Sequence, residues 1–229
     1  MNNNTSTIGQ DFKVKDCTII VRTGGIEPAL NLRELRERIA ICPLECLYHH
    51  FCETLIRPSF DYPEFRNDFA IWALTNLRDR VLAERLGIIN PYKYESLDQL
   101  RSRVVEIIDE RLDEVHYFPW VEKGEEFRFL QAVTIVFDTG LSFKDPLDFI
   151  AQLPILSTSS LYYHFIEARR RTPVRADDFT AWMKKLKNPP NQLIEALEFI
   201  DFYFLNLVEL KTALYNATLS FYKKDIPNG

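Results

Sequence analysis

The residues best suited to chemistry form a polar stripe of histidine, glutamate and arginine that occurs twice in the chain. Side chains three and four positions apart on a helix share a face and can touch. An imidazole there can exchange a proton near neutral pH, a carboxylate can orient it, and a guanidinium can grip an anionic oxygen. The stripe comprises His50, Glu53 and Arg57 in one copy and His164, Glu167 and Arg171 in the other.

The same stripe has a structural interpretation, which we favour. Buried polar side chains are normally hydrogen bonded, and Asp68 and Asp178 stand at the start of the next helix in each copy, within reach of His50 and His164. In this interpretation Glu53 pairs with an arginine four residues on. Ligand binding or catalysis at the stripe is the alternative.

The densest basic segment, from Arg169 to Arg171 with Arg175 nearby, belongs to the second copy alone. It can bind a phosphate or an acidic partner, or it can form a solvated or internally paired face. The candidate ligand-binding residues are His50, Glu53, Arg57, Asp68, His164, Glu167, Arg170, Arg171 and Asp178.

The stripe lies inside longer motifs that repeat in the same order, which indicates an internal duplication of domain-sized units. The paired segments are TIIVRTG and TIVFDTG, LYHHFCE and LYYHFIE, and NDFAIW and DDFTAW. They predict a flexible tail over 1–11, repeat one over 12–118, a connector over 119–126, repeat two over 127–222 and a C-terminal tail over 223–229.

Each repeat is predicted to be a short strand followed by about four helices, giving a mainly α (α+β) fold in which two tandem repeats pack about a pseudo two-fold axis. β-branched and aromatic residues predict strands over 12–21 and 127–137. Asn31 and Asp145 each suit the N-cap of the helix that follows the strand.

Two longer helices are also predicted. The helix carrying the DFxxW motif of repeat one should continue to Gly87, a typical C-terminal stop. A single apolar helix is expected over 191–221, either central in the fold or at a homodimer seam.

Composition and charge narrow the classes of partner that we expect. The 229 residues are 46% hydrophobic with a net charge of -5, which disfavours nucleic acid as a partner. We predict a cytoplasmic location and no membrane partner, because the sequence has no secretory signal and no apolar run long enough to span a bilayer. Cys17, Cys42, Cys46 and Cys52 are predicted to be buried packing residues, with a metal or redox site as the alternative.

Motifs for phosphate loops, dinucleotide binding, nucleophile elbows and zinc proteases are absent from the sequence. The paired motifs LYHHF with NDFAIW, and LYYHF with ARRR and DDFTAW, resemble a family of uncharacterised bacterial and archaeal proteins over almost the whole chain. That resemblance implies no activity.

We therefore predict an internally duplicated helical module that acts in protein interaction or regulation, without catalysis, metal or cofactor. Its partner would be another protein or a second copy of itself. The alternative is an enzyme or binder of a small anionic ligand, such as a sugar phosphate or nucleotide, that uses the repeated stripe.

Overall fold

The computed structural model describes residues 11–57, 62–117, 119–171 and 175–225, and the chain divides into two compact units. We call Ile19–Thr134 the continuous unit. The split unit combines Met1–Thr18 with Ile135–Gly229, so two separate stretches of sequence build it.

Two long strands, β1 (Phe12–Thr23) and β2 (Leu130–Phe143), form a two-stranded sheet. Each strand supplies residues to both units, because the unit boundaries fall within the strands. β1 alternates buried Phe12 and Val14 with exposed Lys13 and Lys15, the period of two that a strand with one buried face requires. Strands were predicted in both places, although β2 starts three residues later than expected and runs further.

The continuous unit is mainly helical and closes around one apolar core. Its helices bury leucine, isoleucine and phenylalanine, and Phe127 and Phe129 join them from the segment before β2. The helices are α1 (Leu32–Ile41), α2 (Leu44–Cys52), α3 (Asp68–Thr75), α4 (Arg80–Gly87) and α5 (Leu97–Glu114), with short 3-10 turns at Glu53–Ile56 and Pro91–Lys93.

The predicted N-cap of α1 is confirmed. The Asn31 side chain accepts a hydrogen bond from the Glu34 amide, and the Glu34 carboxylate accepts one from the Leu30 amide. These bonds satisfy amides that the first helical turn leaves free.

The prediction of one helix through the DFxxW motif to Gly87 is wrong, because the helix ends at Thr75 and a second helix, α4, begins at Arg80. Arg78 adopts a left-handed backbone conformation with φ of 55°. Asp79 then caps α4 by accepting from the Leu82 amide. The apolar periodicity continues across this break, which is why the pattern alone indicated a single helix.

The split unit is also mainly helical, and it contains a π-helical segment in the LYYHFIE motif. Its elements are α6 (Pro146–Gln152), a 3-10 turn (Leu153–Ile155), α7 (Thr158–Leu161), the π segment (Tyr162–Glu167), α8 (Ala168–Arg171), α9 (Asp178–Met183), α10 (Asn191–Glu198) and α11 (Leu207–Asp225). Asp145 caps α6 as predicted, accepting from the amides of Leu147 and Asp148.

The single helix predicted over 191–221 is wrong as well, because α10 ends at Glu198 and α11 begins at Leu207. Asn206 and Glu209 form a capping box in which each side chain accepts from the other's amide. The helix extends to Asp225, past the predicted start of the C-terminal tail, and residues 1–10 and 226–229 of the predicted tails lie outside the described residues.

All four cysteines are buried and reduced, in agreement with their predicted packing role. Within the described ranges, no three His, Cys, Asp or Glu side chains are grouped so that they could hold a metal ion. The described helices include none long and apolar enough to cross a membrane.

Candidate functional site

In the continuous unit, His50 is the centre of a buried polar cluster. Its Nδ1 lies 2.7 Å from Asp68 Oδ2, which also accepts a hydrogen bond of 2.9 Å from Arg57. Its Nε2 accepts a hydrogen bond of 2.9 Å from the backbone amide of Leu130 at the start of β2. We call this set the His50 cluster.

The split unit contains the same arrangement around His164. The Nδ1 of His164 lies 2.8 Å from Asp178 Oδ2, and this oxygen also accepts a hydrogen bond of 2.9 Å from Arg171. The Nε2 of His164 accepts a hydrogen bond of 2.8 Å from the backbone amide of Lys15 in β1. The two predicted His–Asp pairs are thus present, and we call this set the His164 cluster.

These contacts fix the protonation of both histidines. A backbone amide can only donate, so Nε2 must carry the lone pair and the proton must sit on Nδ1, where it is donated to the aspartate. Both imidazoles are neutral, and both ring nitrogens of each are occupied. A general base needs a nitrogen free to reach its substrate, and neither His50 nor His164 has one in this state.

For His50, the direction of the pKa shift agrees with a neutral ring. Burial lowers the pKa of His50, because charging the ring in a dry interior is unfavourable. Burial alone would raise the pKa values of Asp68 and Asp178, but the hydrogen bonds from the histidines and the neighbouring arginine charges outweigh it and hold both below the usual value. Each cluster therefore holds a carboxylate anion beside a guanidinium cation.

The repeated glutamates do not complete the stripe. Glu53 was expected to pair with Arg57, but its carboxylate lies 2.6 Å from Nδ1 of His49, and both residues are buried. Glu167 accepts instead from Arg170 at 2.8 Å. The two glutamates are alike in burial and differ in partner, since Tyr163 occupies the position that corresponds to His49.

The arginine-rich segment of the split unit is internally paired. Arg169 contacts Asp177, Arg170 contacts Glu167, and Arg171 contacts Asp178. These three arginines are therefore ion-paired within the split unit, as the interpretation of an internally paired face predicts.

A cavity of about 450 Å³ opens beside the His164 cluster, entirely within the split unit. The sequence predicted part of its wall but not the lysines; for Lys13 and Lys15 the one signal was their alternation with Phe12 and Val14 along β1, and Lys185 had none. The lining residues are Asp11, Phe12, Lys13, Lys15, Tyr163, His164, Arg171, Asp178, Ala181, Trp182, Lys185 and Leu186.

Comparison with known proteins assigns the family. Residues 9–218 match the family described as "Family of unknown function (DUF5752)". The chain belongs to the DUF5752 family. The resemblance drawn from the paired motifs to a family without assigned activity is thereby confirmed at that level.

A solved structure similar to this DUF5752 chain is OrfY from Thermoproteus tenax. The two share 22% sequence identity with a TM-score of 0.77, over 97% of this chain and 100% of the other. At this identity the likeness establishes the fold alone. None of the curated proteins compared with the DUF5752 chain matches it.

Proposed function

We propose that the chain is a noncatalytic, internally duplicated module that acts in protein interaction or regulation. The observation that carries this proposal is the occupation of both ring nitrogens of His50 and His164 by an aspartate and a backbone amide. A histidine bound on both sides holds a strand against a helix, and no proton remains to be exchanged with a substrate.

The proposed duplication is supported by matching contacts in the two clusters. The Phe127 and His50 rings are 4.8 Å apart, as are those of Phe12 and His164. The matched residues, continuous unit first, are Phe127 and Phe12, Leu130 and Lys15, His50 and His164, Arg57 and Arg171, Asp68 and Asp178, and Trp72 and Trp182. A pseudo two-fold relation between the repeats is part of the same proposal.

Replacing either histidine by glutamine tests the noncatalytic role. We expect His50→Gln and His164→Gln each to lower the free energy of unfolding by about 1–3 kcal/mol, since each leaves a buried polar group without its partner. His116→Gln is the matched control because His116 is exposed. Urea unfolding followed by circular dichroism measures the effect, and full stability in both variants would contradict the structural role.

A role in protein interaction is supported by apolar side chains exposed beside the α10–α11 connection. Phe199 is 89% exposed, Phe204 52% and Val208 66%. Aromatic side chains are enriched at protein–protein interfaces, and these three exposed apolar residues lie within ten residues of chain. We infer that this surface contacts a second copy of the chain.

Sedimentation equilibrium of the wild type and of the double variant Phe199→Ser with Phe204→Ser tests this inference. We expect a concentration-dependent dimer for the wild type and a monomer for the variant. Ile88→Ser with Ile41→Ser, which changes exposed apolar residues of the continuous unit, is the control. A wild-type monomer at all concentrations, or an unchanged dimer in the Phe199 and Phe204 variant, would contradict self-association through this surface.

Binding of a small anionic ligand is the second candidate function, and the cavity beside the His164 cluster favours it. The candidate site there consists of Arg171 with the lysines around it, and His164 serves to hold the wall in place. Catalysis has no such support from the stripe.

A further inference from the structure

The lining of the cavity beside the His164 cluster is strongly basic for a chain with a net charge of -5. It contains four cationic side chains, from Lys13, Lys15, Arg171 and Lys185, against the carboxylates of Asp11 and Asp178. An excess of two positive charges in a concave site raises the local concentration of anions.

The three lysines are available to a ligand. Their side chains are exposed at the rim, and among the described residues none of them has an ion-pair partner. Asp178 accepts hydrogen bonds from His164 and Arg171 through Oδ2, and the adjacent guanidinium of Arg171 offsets its charge.

Arg171 is fixed in position before any ligand arrives. Its guanidinium stacks on the Tyr163 ring at 4.1 Å, and Nη2 donates to the Tyr163 carbonyl at 3.0 Å and to Asp178. Within the described part of the chain, Nε and Nη1 donate to no protein group. An arginine held in this way loses little side-chain conformational entropy when its remaining N–H groups donate hydrogen bonds to a phosphate or carboxylate.

The rest of the wall is apolar and can take a ring. Phe12, Trp182 and Leu186 line it beside the basic groups, and flat or weakly polar rings pack well on aromatic faces. A volume of about 450 Å³ lies in the lower part of the range for small-molecule sites, which favours a single-ring ligand. The π segment Tyr162–Glu167 carries Tyr163 into this wall, and such segments often occur at functional sites.

The continuous unit lacks this basic set at the corresponding positions. Leu130 replaces Lys15, and Thr75 replaces Lys185 at the same distance from the motif tryptophan. Arg128, which corresponds to Lys13, is paired with Glu126 at 3.4 Å. The His50 cluster therefore offers one guanidinium where the His164 cluster offers a set of cations.

We propose that the split unit binds a phosphate monoester of a small single-ring molecule in this cavity. Arg171, Lys15, Lys185 and Lys13 would hold the dianion, and the ring would lie against Phe12 and Trp182. The proposal names the ligand class for the second candidate function above and rests on it, and it predicts one site per chain.

Isothermal titration calorimetry with phenyl phosphate, inorganic phosphate and phenol tests the proposal on the full chain. We expect phenyl phosphate to bind with a stoichiometry of one, inorganic phosphate to bind more weakly, and phenol not to bind. Lys15→Ala with Lys185→Ala should weaken phenyl phosphate binding about tenfold or more, because two of the charges that face the dianion are lost. The charge-matched control, Lys93→Ala with Lys123→Ala, should leave binding unchanged.

The amide of Lys15 reports the location of binding, because it donates to His164 beside the cavity, whereas the amide of Leu130 is its counterpart in the continuous unit. In ¹H–¹⁵N spectra, phenyl phosphate should shift the Lys15 signal and leave the Leu130 signal in place.

Three outcomes would overturn the proposal: no binding of phenyl phosphate at millimolar concentration, equal shifts at both amides, or an equal loss of binding in the control variant. Binding of inorganic phosphate as tightly as phenyl phosphate would retain the anion site and reject the ring. None of these outcomes bears on the noncatalytic role, which the histidine variants test separately.

Discussion

At the scale of single residues, the two clusters differ from a catalytic triad in one contact. A triad also places an aspartate on Nδ1 of a histidine, but it leaves Nε2 facing the nucleophile and substrate. Here the amides of Leu130 and Lys15 take that position. The histidine and the acid are common to both cases, so the sequence motif alone does not show whether a backbone amide or a substrate faces Nε2.

The protonation state of His50 predicts how stability depends on pH. In the folded chain the pKa of His50 lies below its usual 6.5. As the pH falls below about 6.5, His50 is therefore protonated in the unfolded chain while it is still neutral in the folded chain, and this favours unfolding. This contribution to stability is fully present above that pH and is lost on acidification. The aspartates act in the same direction at lower pH, since the depressed pKa values of Asp68 and Asp178 stabilise the fold above about 4 and lose that effect as the carboxylates protonate.

We therefore expect the free energy of unfolding to be nearly constant from pH 8 to 7 and to decline from about pH 6.5 to 5. Urea unfolding across this range provides the measurement, and the slope should be smaller in His50→Gln than in His116→Gln. Equal slopes in the two variants would show that His50 does not carry the dependence.

At the scale of secondary structure elements, local signals predicted where helices begin. Asn31 and Asp145 cap as expected because a cap needs only amides two or three residues away. Asn206 with Glu209 is a capping box of the same kind, and recognising it would have divided the last predicted helix. Asp79 is likewise an N-cap that the sequence analysis overlooked, whereas the positive φ of Arg78 before it had no local signal, because an arginine rarely adopts that conformation.

The candidate site was predictable only in part, because only some of its contacts are between residues close together in the sequence. His50 and Asp68 are 18 residues apart and His164 and Asp178 are 14 apart, on neighbouring helices, and the repeated motifs pointed to both pairs. The amides that complete the clusters lie 80 and 149 residues away in the chain. Lys13 and Lys15 are as distant from Arg171, so their convergence on one cavity depends on tertiary structure that spacing cannot reveal.

At the scale of the whole molecule, the compact units do not follow the repeats that the motifs predict. The segment that fills the core beside His50 carries Phe127 and Phe129, which the motifs place at the start of repeat two. Phe12 and Lys15, at the start of repeat one, serve the His164 cluster. Each histidine thus contacts the strand segment that the motifs assign to the other predicted repeat. In the duplication that we propose, each repeat supplies its first strand segment to the histidine cluster of the other.

This exchange predicts which fragment of the chain folds independently. A fragment over 19–134 retains Phe127, Phe129 and the Leu130 amide, so it should unfold cooperatively and give a dispersed ¹H–¹⁵N spectrum. A fragment over 12–118, the first repeat as the sequence defines it, loses all three and keeps Phe12 and Val14 without their partners. Because removing one buried phenylalanine costs about 3–5 kcal/mol, the loss of two approaches the whole stability of a domain of this size. We expect the 12–118 fragment to melt without a cooperative transition in circular dichroism.

Adding a synthetic peptide over 119–134 to the 12–118 fragment supplies the missing strand segment and should restore a dispersed ¹H–¹⁵N spectrum. A cooperative 12–118 fragment, or a 19–134 fragment that stays unfolded, would contradict this exchange of strand segments.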